Sequence, residues 1–185
     1  MTTILVIGKF EDTGLEEQIK SGLTRSYRVT YVKGNRLFRG GSGYPLLVLD
    51  TEYIDIEGVP ECIIVLKNFA ELPALTPCEK TVVIAGTEDK SGLLLLKDSG
   101  FSVISCGAGK GDTLSYSSLT SDGIVVSLNR EITAFSGRKI QPLELPVSFL
   151  TPGVSGGISD YYNELAFTAL RLVLDDFDSE IGKLF

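Results

Sequence analysis

The first candidate for chemistry in this chain is the glycine turn at residues 8–14, which follows the apolar run at 4–7. A strand that enters a glycine turn and then a helix is where a phosphate-binding loop or a dinucleotide-binding turn occurs. A phosphate-binding loop needs Lys and then Ser or Thr directly after its second glycine, but Leu15 and Glu16 follow Gly14. Because that lysine reaches the terminal phosphates and the hydroxyl holds magnesium, the turn lacks both contributions.

Two interpretations of this turn are open. In the first, Gly8 and Lys9 help to bind a nucleotide or another anion at the N-terminus of the following helix, where free backbone amides attract phosphate. In the second, the turn is an ordinary strand-to-helix loop with Asp12 or Thr13 as the helix cap. The second is favoured, because Glu11 and Asp12 place negative charge where a polyphosphate would lie.

The stretch at 34–44 is the most basic part of an acidic chain. It contains Arg36 and Arg39 among four glycines and two aromatic residues. Loops carry functional residues more often than cores do, so one interpretation is a flexible loop that binds an anion through the two arginines. The other, which is favoured, is a mobile surface loop or a hairpin between the second and third strands.

Acidic side chains follow the apolar run at 45–49. Asp50, Glu52 and Asp55 lie at the predicted carboxyl end of a strand, where open α/β sheets bind ligands. They are candidates for holding magnesium, although solvated loop carboxylates are much commoner. Asp50 is the strongest candidate of the three for a binding role.

Apolar runs predict strands at 3–8, 27–32, 45–50, 62–66, 81–86 and 101–106. The first five are nearly continuous, as in strands that are covered on both faces. Apolar residues at helical spacing predict helices at 14–23 and 88–98. Alternation of strands and helices is typical of a mainly parallel α/β sheet with flanking helices.

The pattern changes after Gly107. Short strands separated by turn residues are predicted at 113–119, 123–128, 138–141 and 143–149, which indicates antiparallel hairpins over 112–150 on one side of the sheet. A loop at 151–158 leads to a helix at about 160–176, with Ser159 or Asp160 as its N-cap. We therefore expect one α/β domain over residues 1–185 that ends in a C-terminal helix.

Composition excludes several classes of function. The chain has 185 residues, no histidine and a net charge of −7, which argues against nucleic acid or an anionic membrane surface as the partner. Without histidine, Ser-His-Asp and Cys-His catalysis and the common zinc sites are excluded. The three cysteines form no C-x-x-C pair, and the sequence has no basic leader or membrane-length apolar run, so a cytoplasmic protein is expected.

The order of these elements resembles the central, ATP-binding domain of the Mur ligases, the ATP-dependent amide-forming enzymes of peptidoglycan synthesis. The stretches that carry the resemblance are 45–52, 62–69, 81–90, 101–112 and 151–166. In the last, Thr-Pro-Gly and then Ser159-Asp160-Tyr161-Tyr162-Asn163 are similar to that family's Pro-Gly-x-His-Asn-x-x-Asn helix entry. The resemblance implies that Asn163 contacts adenine; otherwise an asparagine in the first turn of a helix satisfies backbone groups.

Departures from the family accompany the matches. Besides the degenerate phosphate loop, Ser159 replaces the family's histidine and Asp160 replaces its first asparagine. The segment between 69 and 81 is too short for the family's helical excursion, and the two flanking substrate domains are expected to be absent. The stretches 106–118 and 130–132 are also similar to small uncharacterised proteins of Gram-positive bacteria, which imply no function.

These observations predict a pseudoenzyme: a non-catalytic Mur-ligase-like domain that acts as a binding or assembly module, linked to cell-wall metabolism. The alternative is an enzyme or sensor that binds a nucleotide or small anion at the carboxyl edge of the sheet. Its candidate ligand-binding residues are Gly8, Lys9, Arg36, Arg39, Asp50 and Asn163. No cofactor or metal is expected, with ATP and magnesium as the weaker alternative. An apolar patch on 112–150 or on the terminal helix is expected to form a homo-oligomer or to bind a protein partner.

Overall fold

The structure is a computed structural model that describes residues 1–54, 61–67, 70, 80–88, 96, 99–119, 123–148, 158–178 and 183–184. Much of the helix predicted at 88–98 and nearly all of the loop predicted at 151–158 lie outside the described residues. So do Asp55 and Cys78.

In the described part of the chain, ten strands form one sheet with the order β12-β9-β8-β7-β6-β5-β1-β4-β2-β3. The strands are β1 (Thr2–Ile7), β2 (Tyr27–Lys33), β3 (Arg36–Gly40), β4 (Tyr44–Thr51), β5 (Cys62–Leu66), β6 (Val82–Gly86), β7 (Ser102–Cys106), β8 (Leu114–Leu119), β9 (Gly123–Leu128) and β12 (Leu143–Ser148). Strands β2, β4, β1, β5, β6, β7 and β8 run parallel to their neighbours in this order. The predicted α/β class with a mainly parallel sheet is confirmed.

Antiparallel strands extend the sheet at both edges. Strands β9 and β12 add to β8 as an antiparallel pair, as predicted for the 112–150 region. A separate small hairpin joins β10 (Ile132–Thr133) to β11 (Lys139–Ile140), and another joins β13 (Phe177–Asp178) to β14 (Lys183–Leu184). At the other edge, β3 pairs antiparallel with β2, so the stretch at 34–44 is a hairpin strand and not the flexible loop of the first interpretation.

Two α-helices among the described residues pack on one face of the sheet. Helix α1 (Gly14–Gly22) continues into a 3₁₀ turn at Leu23–Arg25, close to the predicted 14–23. Helix α2 (Ile158–Val173) begins two residues before the prediction, so Ser159 and Asp160 lie inside its first turn and neither is the N-cap. Residues 162–173 are all buried, since α1 and the sheet cover this helix within the chain.

Apolar side chains form a cluster on each face of the sheet. The larger one joins α1 and α2 to the inward side chains of the strands, among them Ile4, Val48 and Val65. The smaller one, on the opposite face, contains Leu5, Ile64 and other alternate residues of the same strands. Because β1 and β5 are buried on both faces, their sequences are continuously apolar, which is why the runs at 3–8 and 62–66 lack the alternation of half-exposed strands.

Candidate functional site

Three neighbouring parallel strands end together at the carboxyl edge of the sheet. Strand β1 lies between β4 and β5, with Ile7 paired to Thr51 on one side and to Leu66 on the other. Gly8, Asp50 and Lys67 stand at these strand ends, on the face that α1 covers. After β1 the chain adds β2, β3 and β4 on one side of β1, and it then adds β5 and the following strands on the other side. The switch point, where open α/β sheets bind ligands, therefore lies between β1 and β5.

Lys67 fills this crevice. Its side chain is 1% exposed, and its Nζ lies 2.8 Å from Asp50 Oδ1. The same ammonium group donates a hydrogen bond of 3.1 Å to the carbonyl oxygen of Lys9 in the glycine turn. A buried cation is stable only when it is paired and hydrogen-bonded, and both conditions are met here within the chain.

The second oxygen of Asp50 also has an internal partner. The hydroxyl of Tyr31 on β2 donates to Asp50 Oδ2 over 2.6 Å, and Lys33 Nζ lies 3.8 Å from the same oxygen. Burial, together with this hydrogen bond to a carboxylate, raises the pKa of Tyr31 far above that of free tyrosine, so the phenol remains a donor. Asp50 is therefore not the solvated loop carboxylate that the sequence favoured; it is the buried centre of a polar cluster.

Gly8 allows Lys67 to occupy this position. Its φ of +144° is one that other residues rarely adopt. A Cβ on Gly8 would lie 2.5 Å from Lys67 Cβ, closer than two carbons can approach. Glycine is needed here because the side chain of Lys67 packs against it. In a phosphate-binding loop, by contrast, glycine is needed because the ligand approaches the backbone.

Amide groups of the glycine turn are also bonded internally. The N–H of Gly8 donates to the carbonyl oxygen of Thr51 at 3.0 Å, and the N–H of Phe10 donates to Glu52 Oε1 at 3.2 Å. Thr13 occupies the N-cap position of α1 without a side-chain hydrogen bond to the helix. The turn therefore has the geometry of the strand-to-helix loop that the sequence favoured, although the predicted side-chain cap is not formed. The side chain of Lys9 is exposed and only its carbonyl faces the crevice.

Charged residues continue outward from the crevice along α1 and β2. Glu16 accepts hydrogen bonds from Lys20 and, at 2.6 Å, from Lys33. Burial raises the pKa of Glu16, but the two hydrogen bonds and the charges of the lysines outweigh it, and the pKa lies below its usual value. The surface here is a cleft of about 540 Å³ between α1 and the β2–β3 turn.

Of the two arginines predicted to bind an anion, one lines this cleft and the other does not. Both are exposed on β3, but Arg36 belongs to the wall of the cleft and Arg39 does not. They therefore do not form one binding loop, as the flexible-loop interpretation required.

Asn163 lies in the second turn of α2, not the first, and is 5% exposed. Its Nδ2 stands 2.5 Å from the position that a Cβ on Gly14 would take, so its amide packs against the start of α1. Its Oδ1 has no hydrogen-bond partner among the described residues. The residue therefore joins α2 to the end of the glycine turn at residues 8–14, through Gly14.

A second glycine turn lies at the carboxyl end of β7, over residues 107–111. Asp112 Oδ2 accepts hydrogen bonds from the N–H of Gly109 at 2.9 Å and from Thr87 Oγ1 at 3.3 Å. The neighbouring Cys106 thiol is fully buried, and burial followed by the Asp112 charge raises its pKa, so it packs as an apolar group, as the sequence indicated. The second glycine turn is therefore filled by the carboxylate of Asp112, the residue that follows it.

Among the described residues, no group of three or more His, Cys, Asp or Glu side chains is placed to hold a metal ion. None of the helices in the described part of the chain combines the length and apolar character that a membrane crossing requires. Comparison of the chain with protein-family models gives no match, and comparison with curated proteins gives none either.

The sequence analysis singled out Gly8 and Asp50, as candidate ligand-binding residues, but not Lys67, Tyr31, Lys33 or Glu16, which the structure places beside them. One signal for Lys67 was present: it follows the apolar run at 62–66 directly, as Asp50 follows 45–49 and Gly8 follows 4–7. The ends of three buried parallel strands meet, so a lysine and an aspartate at two such ends are candidates for an ion pair.

Proposed function

We propose that this protein is a non-catalytic domain that acts as a binding or assembly module on the framework of a nucleotide-binding fold. The observation that carries the proposal is the ion pair between Lys67 and Asp50 beside Gly8. In nucleotide-binding α/β proteins, the glycine turn after the first strand receives the phosphates. Here the same place holds a lysine side chain of the chain itself.

A nucleotide that bound at this turn would have to displace Lys67 from the crevice. Moving Lys67 out of the crevice leaves the buried carboxylate of Asp50 without its cation, and breaking a buried pair in this way costs about 3–5 kcal/mol. A cost of about 4 kcal/mol lowers affinity roughly a thousandfold. The ion pair therefore competes with phosphate for the same space, and Asp50 is not free to bind magnesium while the pair persists.

A relationship to the central domain of the Mur ligases, a link to cell-wall metabolism and a cytoplasmic location belong to the same proposal. They rest on the order of strands and on the sequence stretches that resemble that family. A binding module also needs a partner. Since residues 162–173 of α2 are buried, the 112–150 region is the better candidate for the homo-oligomer or partner contact, and Leu119 there is 47% exposed.

Thermal melting with and without ATP and magnesium tests the proposal. A ligand at a hundred times its dissociation constant stabilises a protein by about 2.7 kcal/mol, which shifts the melting temperature of a domain of this size by several degrees. We expect a shift below about 1 °C for ATP–magnesium and no phosphate release above background. A reproducible rise of several degrees, or phosphate release that Asp50→Asn abolishes in a folded variant, would overturn the proposal.

A further inference from the structure

The cleft between α1 and the β2–β3 turn lies outside the filled crevice. Lys20 comes from α1 and Lys33 from the end of β2, while Asn35 and Arg36 come from the turn and the start of β3. Its volume of about 540 Å³ is within the range of small-molecule sites. The cleft is connected to the crevice through Lys33, which lies between Glu16 and Asp50.

Two ammonium groups of the cleft are held in fixed positions. Lys20 is bonded to Glu16, and its Nζ lies 4.9 Å from the centre of the Tyr31 ring and 5.5 Å from that of Phe38. Lys33 is bonded to Glu16 at 2.6 Å, and its Nζ lies 5.8 Å from the centre of the Phe10 ring. Ion pairs and cation–π contacts together reduce the entropy that an anion must remove from these side chains on binding.

Every carboxylate oxygen of the polar cluster accepts a hydrogen bond, whereas its ammonium groups have more N–H donors than these bonds use. The two carboxylates, Glu16 and Asp50, face three ammonium groups, those of Lys20, Lys33 and Lys67. Each of the four carboxylate oxygens already accepts a hydrogen bond. An ammonium group has three N–H donors, and among the described residues Lys20 uses one of them in an ion pair.

The cluster therefore has a surplus of one positive charge in a chain whose net charge is −7. Arg36 at the rim adds a planar group that binds carboxylate or phosphate through two parallel hydrogen bonds. The lining of the cleft itself has three cations, Lys20, Lys33 and Arg36, against two carboxylates, Glu16 and Glu17. Partly buried surplus charge with spare donors is best satisfied by an anionic oxygen group.

We propose that this cleft binds a small ligand through an anionic oxygen group, a carboxylate or a phosphate, held by Lys20, Lys33 and Arg36. The proposal rests on the proposed function only in treating the domain as a binding module, because the site lies outside the crevice that Lys67 fills. Phe10 supplies an aromatic wall for the part of the ligand next to that group.

The test is an NMR titration of the ¹⁵N-labelled full chain with sodium phosphate and, separately, with sodium succinate. Sodium chloride keeps the ionic strength constant. We expect saturable shifts at the amides of 16–20 and 33–36 with at least one of the two anions. Binding of phosphate alone or succinate alone identifies the source of the oxygen group, and binding of both shows that the shared chemistry is recognised.

Matched variants locate the site. Arg36→Gln and Lys20→Met should each weaken binding about tenfold, since each removes a charge-assisted hydrogen bond. Arg39→Gln removes the same charge from the same strand outside the cleft, and it should change the dissociation constant less than about twofold. No saturable shift with either anion, or equal weakening by Arg39→Gln, would overturn the proposal. ATP bound in the crevice would instead shift the amide signals of Gly8 and Lys67. A failure of the proposed function is therefore distinguishable from a failure of the proposal about the cleft.

Discussion

The two glycine turns at the carboxyl edge of the sheet are both occupied from within, but by different means. The turn after β1 holds Lys67, which follows β5 directly. Lys67 is 58 residues away in sequence from Lys9, whose carbonyl oxygen accepts its hydrogen bond. The turn after β7 holds the carboxylate of Asp112, three residues from the Gly109 amide it binds. The first is a tertiary contact that joins three strands, and the second is a local contact that shapes one loop.

This difference predicts unequal consequences when each group is removed. Removing Lys67 leaves a buried charge between strands of the core, whereas removing Asp112 leaves a backbone amide at the end of a strand. We expect the loss of stability to decrease in the order Lys67, Gly8, Asp112 and Glu16 when each of these residues is replaced.

Lys67→Met should have the largest effect. The methionine fills similar volume but leaves Asp50 buried without its cation, and we expect a loss of about 3–5 kcal/mol in the free energy of unfolding. Urea denaturation followed by circular dichroism measures it. Lys9→Met, the same substitution at a neighbouring exposed side chain, should change stability by less than about 0.5 kcal/mol. Equal effects at the two positions would contradict the placement of Lys67.

Gly8→Ala should follow, with a loss of about 3 kcal/mol from backbone strain and the collision with Lys67 Cβ. Gly34→Ala is the control, because Gly34 also has a positive φ, +53°, but its Cβ would meet nothing within 4 Å. It should cost about 1 kcal/mol. The difference between the two variants in the same denaturation assay contains the collision with Lys67 and the greater strain of a φ of +144° compared with +53°, and no difference would contradict the close contact.

Asp112→Ala should cost about 1–2 kcal/mol, since it removes an acceptor from the Gly109 amide and from Thr87. Asp112→Asn keeps an acceptor oxygen and should recover part of the loss. Amide hydrogen exchange at Gly109 reports the local opening directly. A loss as large as that of Lys67→Met would contradict the distinction between a local and a tertiary contact.

Glu16→Gln should have the smallest effect, about 0.5–1 kcal/mol at neutral pH, because the ion pairs lie at the edge of the crevice and are partly screened. The folded pKa of Glu16 is below its ordinary value of 4.5, so its contribution is complete above that pH and is lost as the pH falls through the folded pKa. Below about pH 4.5 the wild type should lose stability more steeply than Glu16→Gln. Glu17→Gln, at the next and exposed position, should follow the wild type; parallel curves for all three proteins would contradict the role of Glu16.

The sheet was predictable because its strands are read from local runs: the segments at 4–7 and 62–66 are continuous apolar stretches, as in strands that are covered on both faces. Strand β3 was harder to predict, since Gly34 and Gly40 flank its sequence and, in the described part of the chain, it pairs with β2 alone. The ion pair depended on register between strands that are far apart in sequence. Asp50 alone looks like a loop acid; its burial follows only once β5 places Lys67 opposite Gly8.

A double-mutant cycle between Asp50→Asn and Lys67→Met tests the central claim, that these two side chains form one buried pair inside the crevice. The free energy of unfolding is measured for the wild type, both single variants and the double variant. If the pair exists, the double variant loses less than the sum of the single losses, with a coupling energy of about 2 kcal/mol, because neither charge is left alone. Losses that add within about 0.5 kcal/mol would show that the two groups do not interact and would contradict the account.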